Sequence, residues 1–366
     1  MRIACIANGD NIHALRWINY FAEQRHEVHL ICYQAMSGYH ENVHIHLLPG
    51  YSTGAGQLSG YLRFPQWIVQ ARKLVRELKP DILEALYITS WGFLAACTGY
   101  HPFSLCAQGS DVLVDPEKSR LKRLLVRYAL KQADCVLYDS TALGQGLIGL
   151  GADTGKMHEV FNGVDTQKFR RREKNPALME RGRLSGRPVI ISFREFKPVY
   201  NVEMFVKSIP SVLKQVPAAK FIIASDGKLR GQLEGLAASL GVRESVWFPG
   251  FLEHDEVPEY LALADIYVST SLSDSTSLCL QEAMACELAP VVTDVPANRE
   301  WIKNGENGFI VPMNDVDALS EKIIYLIKND RIRGNYGKLG REIIRSRAEY
   351  RKEMGKLEDL YLKMVG

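Results

Sequence analysis

Two acidic side chains, Asp274 and Glu282, lie eight residues apart in the stretch TSLSDSTSLCLQEAMACELAPVVTD, residues 270–294. The pattern predicts a loop that carries Asp274, then a helix that carries Glu282 among apolar and small neighbours, then a strand. A carboxylate in so apolar a helix needs hydrogen-bond donors, and the two hydroxyls of a ribose would supply them. A structural alternative fits the pattern equally well: Asp274 caps the helix, and the Glu282 side chain extends to solvent.

The start of this helix has the residues of a phosphate site. Ser275, Thr276 and Ser277 are N-cap candidates, and a helix start presents unpaired N–H groups and the positive end of the helix dipole. In an open parallel sheet, ligands bind beyond the carboxyl ends of the strands, and the loop follows such a strand end. We therefore expect an anionic ligand here.

Strand and helix patterns alternate along the whole chain, which predicts mainly parallel, doubly wound sheets. The polar and basic stretch 167–187 separates two such sets, so we expect a domain linker there and two domains of similar size. The predicted strands are RIACIA, EVHLICY, PDILEAL, FSLCAQ, CVLYDS and HEVF in the first set, and PVIISF, KFIIAS, VWFPG, DIYVST, PVVTD and GFIVP in the second.

Composition agrees with a folded two-domain chain: 366 residues, 46% hydrophobic, 24% charged, with a net charge of +3. So small a charge gives no reason to expect a nucleic-acid partner, and we expect none. Seven cysteines without a C-x-x-C pair argue against a disulfide framework or a zinc ribbon. The start MRIACIANGD lacks the apolar region of a signal peptide, and no run of about 18 apolar residues occurs, so we expect a cytoplasmic protein.

The segment SDSTSLCLQEAMACELAPVVTDVPANREWIKNGENGFIVP resembles the signature region of family 4 of the glycosyltransferases, the retaining GT-B enzymes. In that family two acids separated by seven residues are followed by an Ala-Met-Ala helix and a Pro-Val-Val strand. The resemblance covers nearly the whole chain. It extends to HALRWINYFAEQRHEVHLI, VFNGVDTQKF and IIASDGKLRGQLEGLAASLGVRESVWFPGFL.

The resemblance implies an α/β protein with the GT-B fold, in which two Rossmann-like doubly wound domains face a central cleft. Residues 1–166, joined by a C-terminal helix at 345–366, would form the acceptor domain. Residues 167–344 would form the domain that binds the nucleotide-sugar donor.

The resemblance also implies roles for single positions. Arg194 would neutralise the diphosphate leaving group, Asp274 would lie beside the donor sugar, and Glu282 would bind the ribose. We group Asp111 with the catalytic residues, because in AQGSD it follows a strand end and would contact the sugar or the acceptor. The remaining expected donor contacts are Lys197, Ser277, Leu278, Thr276, Leu252 and Gly9.

On the acceptor side we expect His13 and Gln108, although a helix-start histidine on the surface is an equally good interpretation of His13. The sequence departs from the family pattern at several positions. Val199 and Tyr200 occupy the places of a lysine, Gln108 replaces the histidine of many members, and Glu287 replaces a glycine. It is open whether Lys197 takes the role of the missing lysine.

The expected activity is retaining transfer of a hexose or N-acetylhexosamine from a nucleoside-diphosphate sugar to an acceptor. The acceptor would be a glycan, a glycolipid, a cell-envelope precursor or a small molecule. A UDP-sugar is favoured over a GDP-sugar as co-substrate. We expect no cofactor and, because no DxD motif occurs, no metal. Three alternatives stay open: a GT-B sugar-nucleotide epimerase, a catalytically silent binding subunit, and a binding module for anionic lipid or polymer.

The basic segment 118–131, KSRLKRLLVRYALK, predicts an amphipathic helix with six Lys/Arg and no acid. Leu121, Leu124, Leu125 and Tyr128 form one apolar face, which we expect to cover the sheet and leave a solvated basic face. The alternative is that the basic face contacts anionic lipid or an anionic acceptor, which would place the protein at the inner face of the membrane.

Overall fold

The computed structural model describes residues 1–49, 57–274 and 276–366. They form two compact units: unit 1 comprises residues 1–162 and 352–366, and unit 2 comprises residues 163–351. Each unit is a parallel sheet with helices, so the prediction of two Rossmann-like α/β domains is confirmed. The sequence places the domain boundary four residues later, at 166, and expects the C-terminal contribution to begin at 345 rather than 352.

In its described residues, unit 1 has a seven-stranded parallel sheet with the order β3-β2-β1-β4-β5-β6-β7. The order reverses between β1 and β4, so the loops after these two strands diverge and leave a crevice at their carboxyl ends. Its strands are β1 Arg2–Ile6, β2 Glu27–Cys32, β3 Val43–Leu47, β4 Ile82–Leu86, β5 Phe103–Cys106, β6 Cys135–Tyr138 and β7 Met157–Glu159. Its helices include α1 Ile12–Glu23, α2 Gln57–Leu78, α3 Phe93–Ala96, α4 Ser110–Leu113, α5 Asp115–Lys118, α6 Arg120–Gln132 and α7 Thr141–Leu150.

Unit 2 repeats this topology in a six-stranded sheet of described residues with the order β10-β9-β8-β11-β12-β13. Here the order reverses between β8 and β11, and the loops after these strands carry the predicted donor residues. The strands are β8 Val189–Ser192, β9 Lys220–Ile223, β10 Val246–Trp247, β11 Ile266–Ser269, β12 Ala289–Thr293 and β13 Phe309–Val311. The helices are α8 Pro176–Arg181, α9 Val202–Gln215, α10 Arg230–Ser239, α11 Val257–Leu263, α12 Leu278–Ala285, α13 Pro296–Arg299, α14 Val316–Lys328 and α15 Asp330–Arg347.

The last helix, α16 Tyr350–Val365, joins unit 1 from Lys352 onward. Its Tyr361 is fully buried and donates a hydrogen bond of 2.6 Å to Glu84 in the middle of β4. Burial raises the pKa of Glu84 to about 7, while the Tyr361 hydrogen bond acts in the opposite direction. The N–H of Phe161 donates to Glu353 on the same helix at 3.1 Å. Buried polar contacts thus hold α16 against the sheet of unit 1.

The apolar face of α6 is not the one that the sequence predicts. Val126, Ala129, Leu130 and Ala133 are buried, whereas Leu121 is 60%, Leu124 63% and Tyr128 42% exposed. The prediction that the stripe with Leu121 and Leu124 covers the sheet is therefore wrong. Helix α6 instead leaves two leucines at the surface beside its arginines.

Helix α15 lies against the end of α12 through a glycine. A Cβ on Gly337 would overlap the carbonyl group of Glu287, with the carbonyl carbon 2.7 Å away, whereas a Cβ on Gly334 of the same helix would meet open space. Glu287 itself has a left-handed φ of 65°. Its N–H donates to Met284 O at 3.0 Å and that of Leu288 to Ala283 O at 3.1 Å, the paired bonds of a Schellman turn.

We predict opposite effects for alanine at these two glycines. Gly337→Ala should lower the free energy of unfolding by about 1–3 kcal/mol, because the added methyl overpacks the contact with Glu287. Gly334→Ala should raise it by up to about 1 kcal/mol, because alanine favours the helix and meets no neighbour. Urea titrations of both variants test this, and equal effects would contradict the close approach of α15 to α12.

Candidate functional site

A buried arginine organises the carboxyl edge of the sheet in unit 2. Arg194 follows the end of β8, and its side chain is 7% exposed. Its Nη2 donates to Asp274 Oδ2 at 2.6 Å and its Nη1 to Ser277 Oγ at 2.8 Å. The Tyr200 ring lies 4.0 Å from the guanidinium carbon. The structure therefore brings Arg194, Asp274 and Ser277 together, and we call these three residues the Arg194 cluster.

Arg194 is charged in this setting. Burial opposes its charged form, but the carboxylate of Asp274 raises the pKa of the guanidinium above its usual value. Its Nε is buried without a hydrogen-bond partner among the described residues.

The start of α12 lies in the same cluster. Ser277 is the N-cap: its Oγ accepts the N–H of Leu280 at 3.3 Å in addition to the bond from Arg194. Thr276 and Leu278 flank it, and Ser275 lies outside the described residues. Because Ser277 caps the helix, Asp274 does not have the capping role of the structural alternative. A capped helix start beside a buried guanidinium is an arrangement that binds phosphate groups.

Glu282 lies one turn further along α12 with its side chain 4% exposed, so it does not extend to solvent. Its Oε1 is 2.9 Å from Nε2 of His254, which lies in the loop between β10 and α11. The other ring nitrogen of His254 is 3.2 Å from Lys168 Nζ. Sequence reasoning missed His254. The one sequence feature that could have indicated His254 is its position, two residues after the predicted donor contact Leu252.

The other predicted donor positions have ordinary surroundings. Lys197 forms an ion pair of 2.7 Å with Glu195, and both side chains are about half exposed. Leu252 is half-buried in the loop after β10. In unit 1, Gly9 is an isolated bridge partner of Ala35, and a Cβ on Gly9 would overlap the carbonyl oxygen of Gln34. The donor roles of these three residues stay predictions.

Unit 1 has its own cavity of about 240 Å³ at the carboxyl ends of β1, β4 and β5. It contains the predicted Gln108, whose Oε1 accepts from Asn11 Nδ2 at 3.4 Å. Sequence patterns did not single out the other polar and aromatic lining residues, beyond their place in loops after strand ends. They are Asn8, Asn11, Tyr87, Ser90 and Trp91.

Tyr87 has a strained backbone at the wall of this cavity. Its φ is 80°, in a region that residues with a side chain seldom adopt, and one π-helical turn follows at Ile88–Gly92. Such strain costs about 1–3 kcal/mol and clusters at functional sites. The Tyr87 hydroxyl is 3.0 Å from Ser110 Oγ and donates to Asp115 at 3.1 Å, so its ring orientation is fixed.

Asp111 and His13 are near this region but not in the lining of the cavity. Asp111 is fully buried, and its carboxylate accepts the N–H groups of Ile88 at 2.7 Å and Gln108 at 3.1 Å. Burial raises its pKa to about 6, and these hydrogen bonds act in the opposite direction. These contacts join two loops, and a catalytic role for Asp111 stays a prediction. The N–H of His13 donates to the N-cap Asn11 at 2.8 Å at the start of α1.

The described residues lack two features, a group of metal ligands and a membrane-spanning helix. No group of three or more His, Cys, Asp or Glu side chains is placed to hold a metal ion. No helix in these ranges has both the length and the apolar composition to cross a membrane.

Comparisons with known proteins match both halves of the chain. Residues 175–343 match the family model Glycosyl transferases group 1, and residues 2–140 match Glycosyl transferase 4-like. The chain is 23% identical over 356 residues to the N-acetyl-alpha-D-glucosaminyl L-malate synthase of Bacillus anthracis, which covers 94% of this chain and 91% of that protein. It is 27% identical over 307 residues to the sulfoquinovosyl transferase SQD2 of Arabidopsis thaliana, which covers 77% of this chain and 57% of that protein.

A solved structure shows the same fold over the full length. The crystal structure of Anabaena Alr3699/HepE in complex with UDP has a TM-score of 0.81 at 18% identity and covers 99% of this chain and 100% of that chain. The family matches, the repeated sheet topology and the Arg194 cluster agree with one another. The chain belongs to family 4 of the glycosyltransferases, with the GT-B fold.

Proposed function

We propose that the chain transfers a hexose or N-acetylhexosamine from a UDP-sugar to an acceptor, with retention of configuration at the transferred carbon. The observation that carries the proposal is the Arg194 cluster at the start of α12. It combines a buried cation with a capped helix N-terminus. These are the groups that bind a diphosphate.

The same groups suit the chemistry. When the bond between sugar and diphosphate breaks, negative charge grows on the leaving phosphate oxygens. A fixed guanidinium and helix dipole stabilise that charge more strongly than the charge of the intact donor, which lowers the barrier. Since a guanidinium has five N–H donors, Arg194 can keep Asp274 and also donate to phosphate. The proposal requires no metal, because Arg194 and the helix start supply the positive charge.

In this proposal Glu282 and Asp274 contact different parts of the donor. Glu282 is held by His254 and would accept hydrogen bonds from the ribose hydroxyls. Asp274 would lie beside the sugar and also hold Arg194 in position. The cavity with Asn8, Asn11 and Gln108 in unit 1 is our candidate for the acceptor.

The choice of UDP and of the sugar is supported by relatives. Anabaena Alr3699/HepE is described in complex with UDP and with UDP and glucose. The name of the Bacillus anthracis relative pairs an N-acetylglucosaminyl group with malate, a small molecule. A glycan or lipid-linked acceptor remains an alternative to a small molecule. An epimerase would change the sugar nucleotide without an acceptor, and a silent subunit would bind it without turnover.

Substitutions that neutralise Glu282 and Asp274 should have different effects on the protein. Glu282→Gln should weaken binding of UDP and UDP-sugar alike by roughly 10-fold or more, since a charge-assisted hydrogen bond contributes about 1.5–3 kcal/mol. Asp274→Asn should leave UDP affinity close to wild type and lower turnover. Calorimetric titration with UDP measures the first effect. Glu287→Gln, the same change at the end of the same helical segment, is the matched control. Unchanged UDP affinity in Glu282→Gln would contradict the ribose assignment.

Arg194→Ala should reduce kcat by about 10²–10³-fold and change donor affinity far less, because the arginine stabilises charge that develops during the reaction. Rates of sugar transfer and of donor hydrolysis give kcat, and the melting temperature shows whether the variant is folded. A variant that keeps its kcat and loses only affinity would show that Arg194 binds the ground state. Arg299→Ala, at an exposed arginine of unit 2, is the control.

We also propose that unit 1 contacts anionic membranes from the cytoplasmic side through α6. Leu121, Leu124 and Tyr128 are exposed among the basic residues of this helix, which contains no acid. A cavity of about 530 Å³ beside α6 is lined by Leu124, Tyr128, Arg127, Lys131 and Lys156, among others. An anionic membrane has charged headgroups over an apolar interior. Exposed leucines surrounded by cations are suited to bind such a surface.

The double change Leu121→Ser/Leu124→Ser should weaken binding to phosphatidylglycerol vesicles by roughly 10-fold or more, because burial of one leucine side chain contributes about 1.5–3 kcal/mol. Binding of the wild type should also fall as salt rises. Vesicle sedimentation measures both effects. Leu362→Ser, at an exposed leucine of α16, should have no effect. Equal binding to neutral and anionic vesicles would contradict the proposal.

A further inference from the structure

Unit 2 has a concave surface at the amino-terminal ends of its strands, whereas the Arg194 cluster lies at their carboxyl ends. A cavity of about 240 Å³ lies at the amino-terminal ends of β9 and β10. Lys220 is the first residue of β9, and Arg243 lies in the turn directly before β10. The Arg194 cluster follows the carboxyl ends of β8 and β11. Four-residue strands span about 13 Å, so one ligand phosphate cannot occupy both places.

The cavity is strongly positive. Its lining has four cationic side chains, Arg181, Arg183, Lys220 and Arg243, and one carboxylate, Glu244. Glu244 is 4.0 Å from Arg183, and these side chains are 92% and 80% exposed, so their attraction is weak. Four cations against one carboxylate leave a net charge of +3.

The hydrogen bond of Lys220 in this cavity goes to an uncharged group. Its Nζ donates to the carbonyl oxygen of Glu244 at 2.6 Å, which is a neutral acceptor. Partial burial lowers the pKa of Lys220, and the nearby Arg187 and Arg183 lower it further, while the Glu244 carboxylate acts in the opposite direction. Like charges held this close repel one another, and a bound anion would relieve the repulsion.

Contacts with the fold position the side chains of Arg181 and Arg243. A Cβ on Gly182 would lie 2.6 Å from Cε3 of Trp247, so the chain between Arg181 and Arg183 passes directly against the indole. The Arg181 guanidinium lies 5.8 Å from the Trp247 ring. Arg243 donates to Val246 O at 3.0 Å and lies 5.4 Å from the Phe248 ring. These contacts place the charged groups around one space.

We propose that this cavity is a second anion site of the chain, which binds phosphate groups through Arg181, Arg183, Lys220 and Arg243. Arginine forks and a lysine are the side chains that bind phosphate oxygens, and a volume of this size accommodates one or two phosphate groups. The phosphate would come from a small soluble molecule or from a lipid headgroup. The inference is independent of the donor proposed for the Arg194 cluster.

Trp247 provides a local probe of this site. We suggest labelling the protein with 5-fluorotryptophan and recording its ¹⁹F spectrum, with the Trp247 signal assigned by its loss in Trp247→Phe. Inorganic phosphate, pyrophosphate and phosphatidylglycerol vesicles are added separately, with UDP present to occupy the Arg194 cluster. Trp301, in the same unit, provides a reference signal.

We expect a saturable shift of the Trp247 signal that weakens with salt. Arg183→Glu should raise the apparent dissociation constant at least tenfold, whereas Lys303→Glu, the same charge change at an exposed lysine of unit 2, should not. A shift with the soluble phosphates identifies a soluble ligand, and a shift with vesicles alone identifies a lipid headgroup. Either result supports the site. No shift with any probe, or equal binding by both variants, would overturn it, whether or not UDP binds.

Discussion

The buried charge of Arg194 is the interaction on which the site of unit 2 depends. A guanidinium that is 7% exposed has lost most of its hydration, and it is tolerated only where other groups replace the water. A carboxylate and a hydroxyl do so here, and they come from the loop after β11 and from the start of α12. Because Ser277 also caps α12, one set of contacts fixes the position of both the charge and the helix start.

The sheet topology makes this cluster available. β8 and β11 are paired neighbours, and the strand order reverses between them, so their loops separate and leave room above the sheet. The other end of α12 is fixed as well, by the Schellman turn at Glu287 and by the close contact with Gly337. A glutamate with left-handed backbone at this turn is less favourable than the glycine common in the family. The packing of α15 against its carbonyl group shows how the conformation is retained.

Much of the fold follows from sequence patterns, and the exceptions have physical causes. The apolar runs predicted every strand except β3. This strand has no apolar run, because His44 and His46 alternate with its apolar residues; the two histidines contact His29, and Ile45 and Leu47 are exposed. The family motif marked Arg194, Asp274 and Glu282. It could not indicate the hydrogen bond from Arg194 to Asp274 or the contact of Glu282 with His254.

Candidate site residues outside motifs were the hardest to predict. His254 is a single histidine in a loop, and only the tertiary fold brings it to Glu282. Tyr87 and Trp91 lie in a strained turn after β4, and strain has no composition signal. Asp111 could be selected from the sequence because it follows a strand end. Its burial and its backbone contacts, however, suit a structural role as well as a chemical one.

Helix α6 shows why spacing alone cannot select a buried face. Leu121, Leu124, Leu125 and Tyr128 have helical spacing, but Val126, Ala129, Leu130 and Ala133 have the same spacing on another face. The second set has the smaller side chains, and it is the set that packs in the core. The small side chains let α6 approach its neighbours closely, which gains dispersion contacts that the bulkier stripe could not make. The larger leucines are therefore left at the surface by packing, and their exposure beside arginines is the physical basis of the membrane contact that we propose.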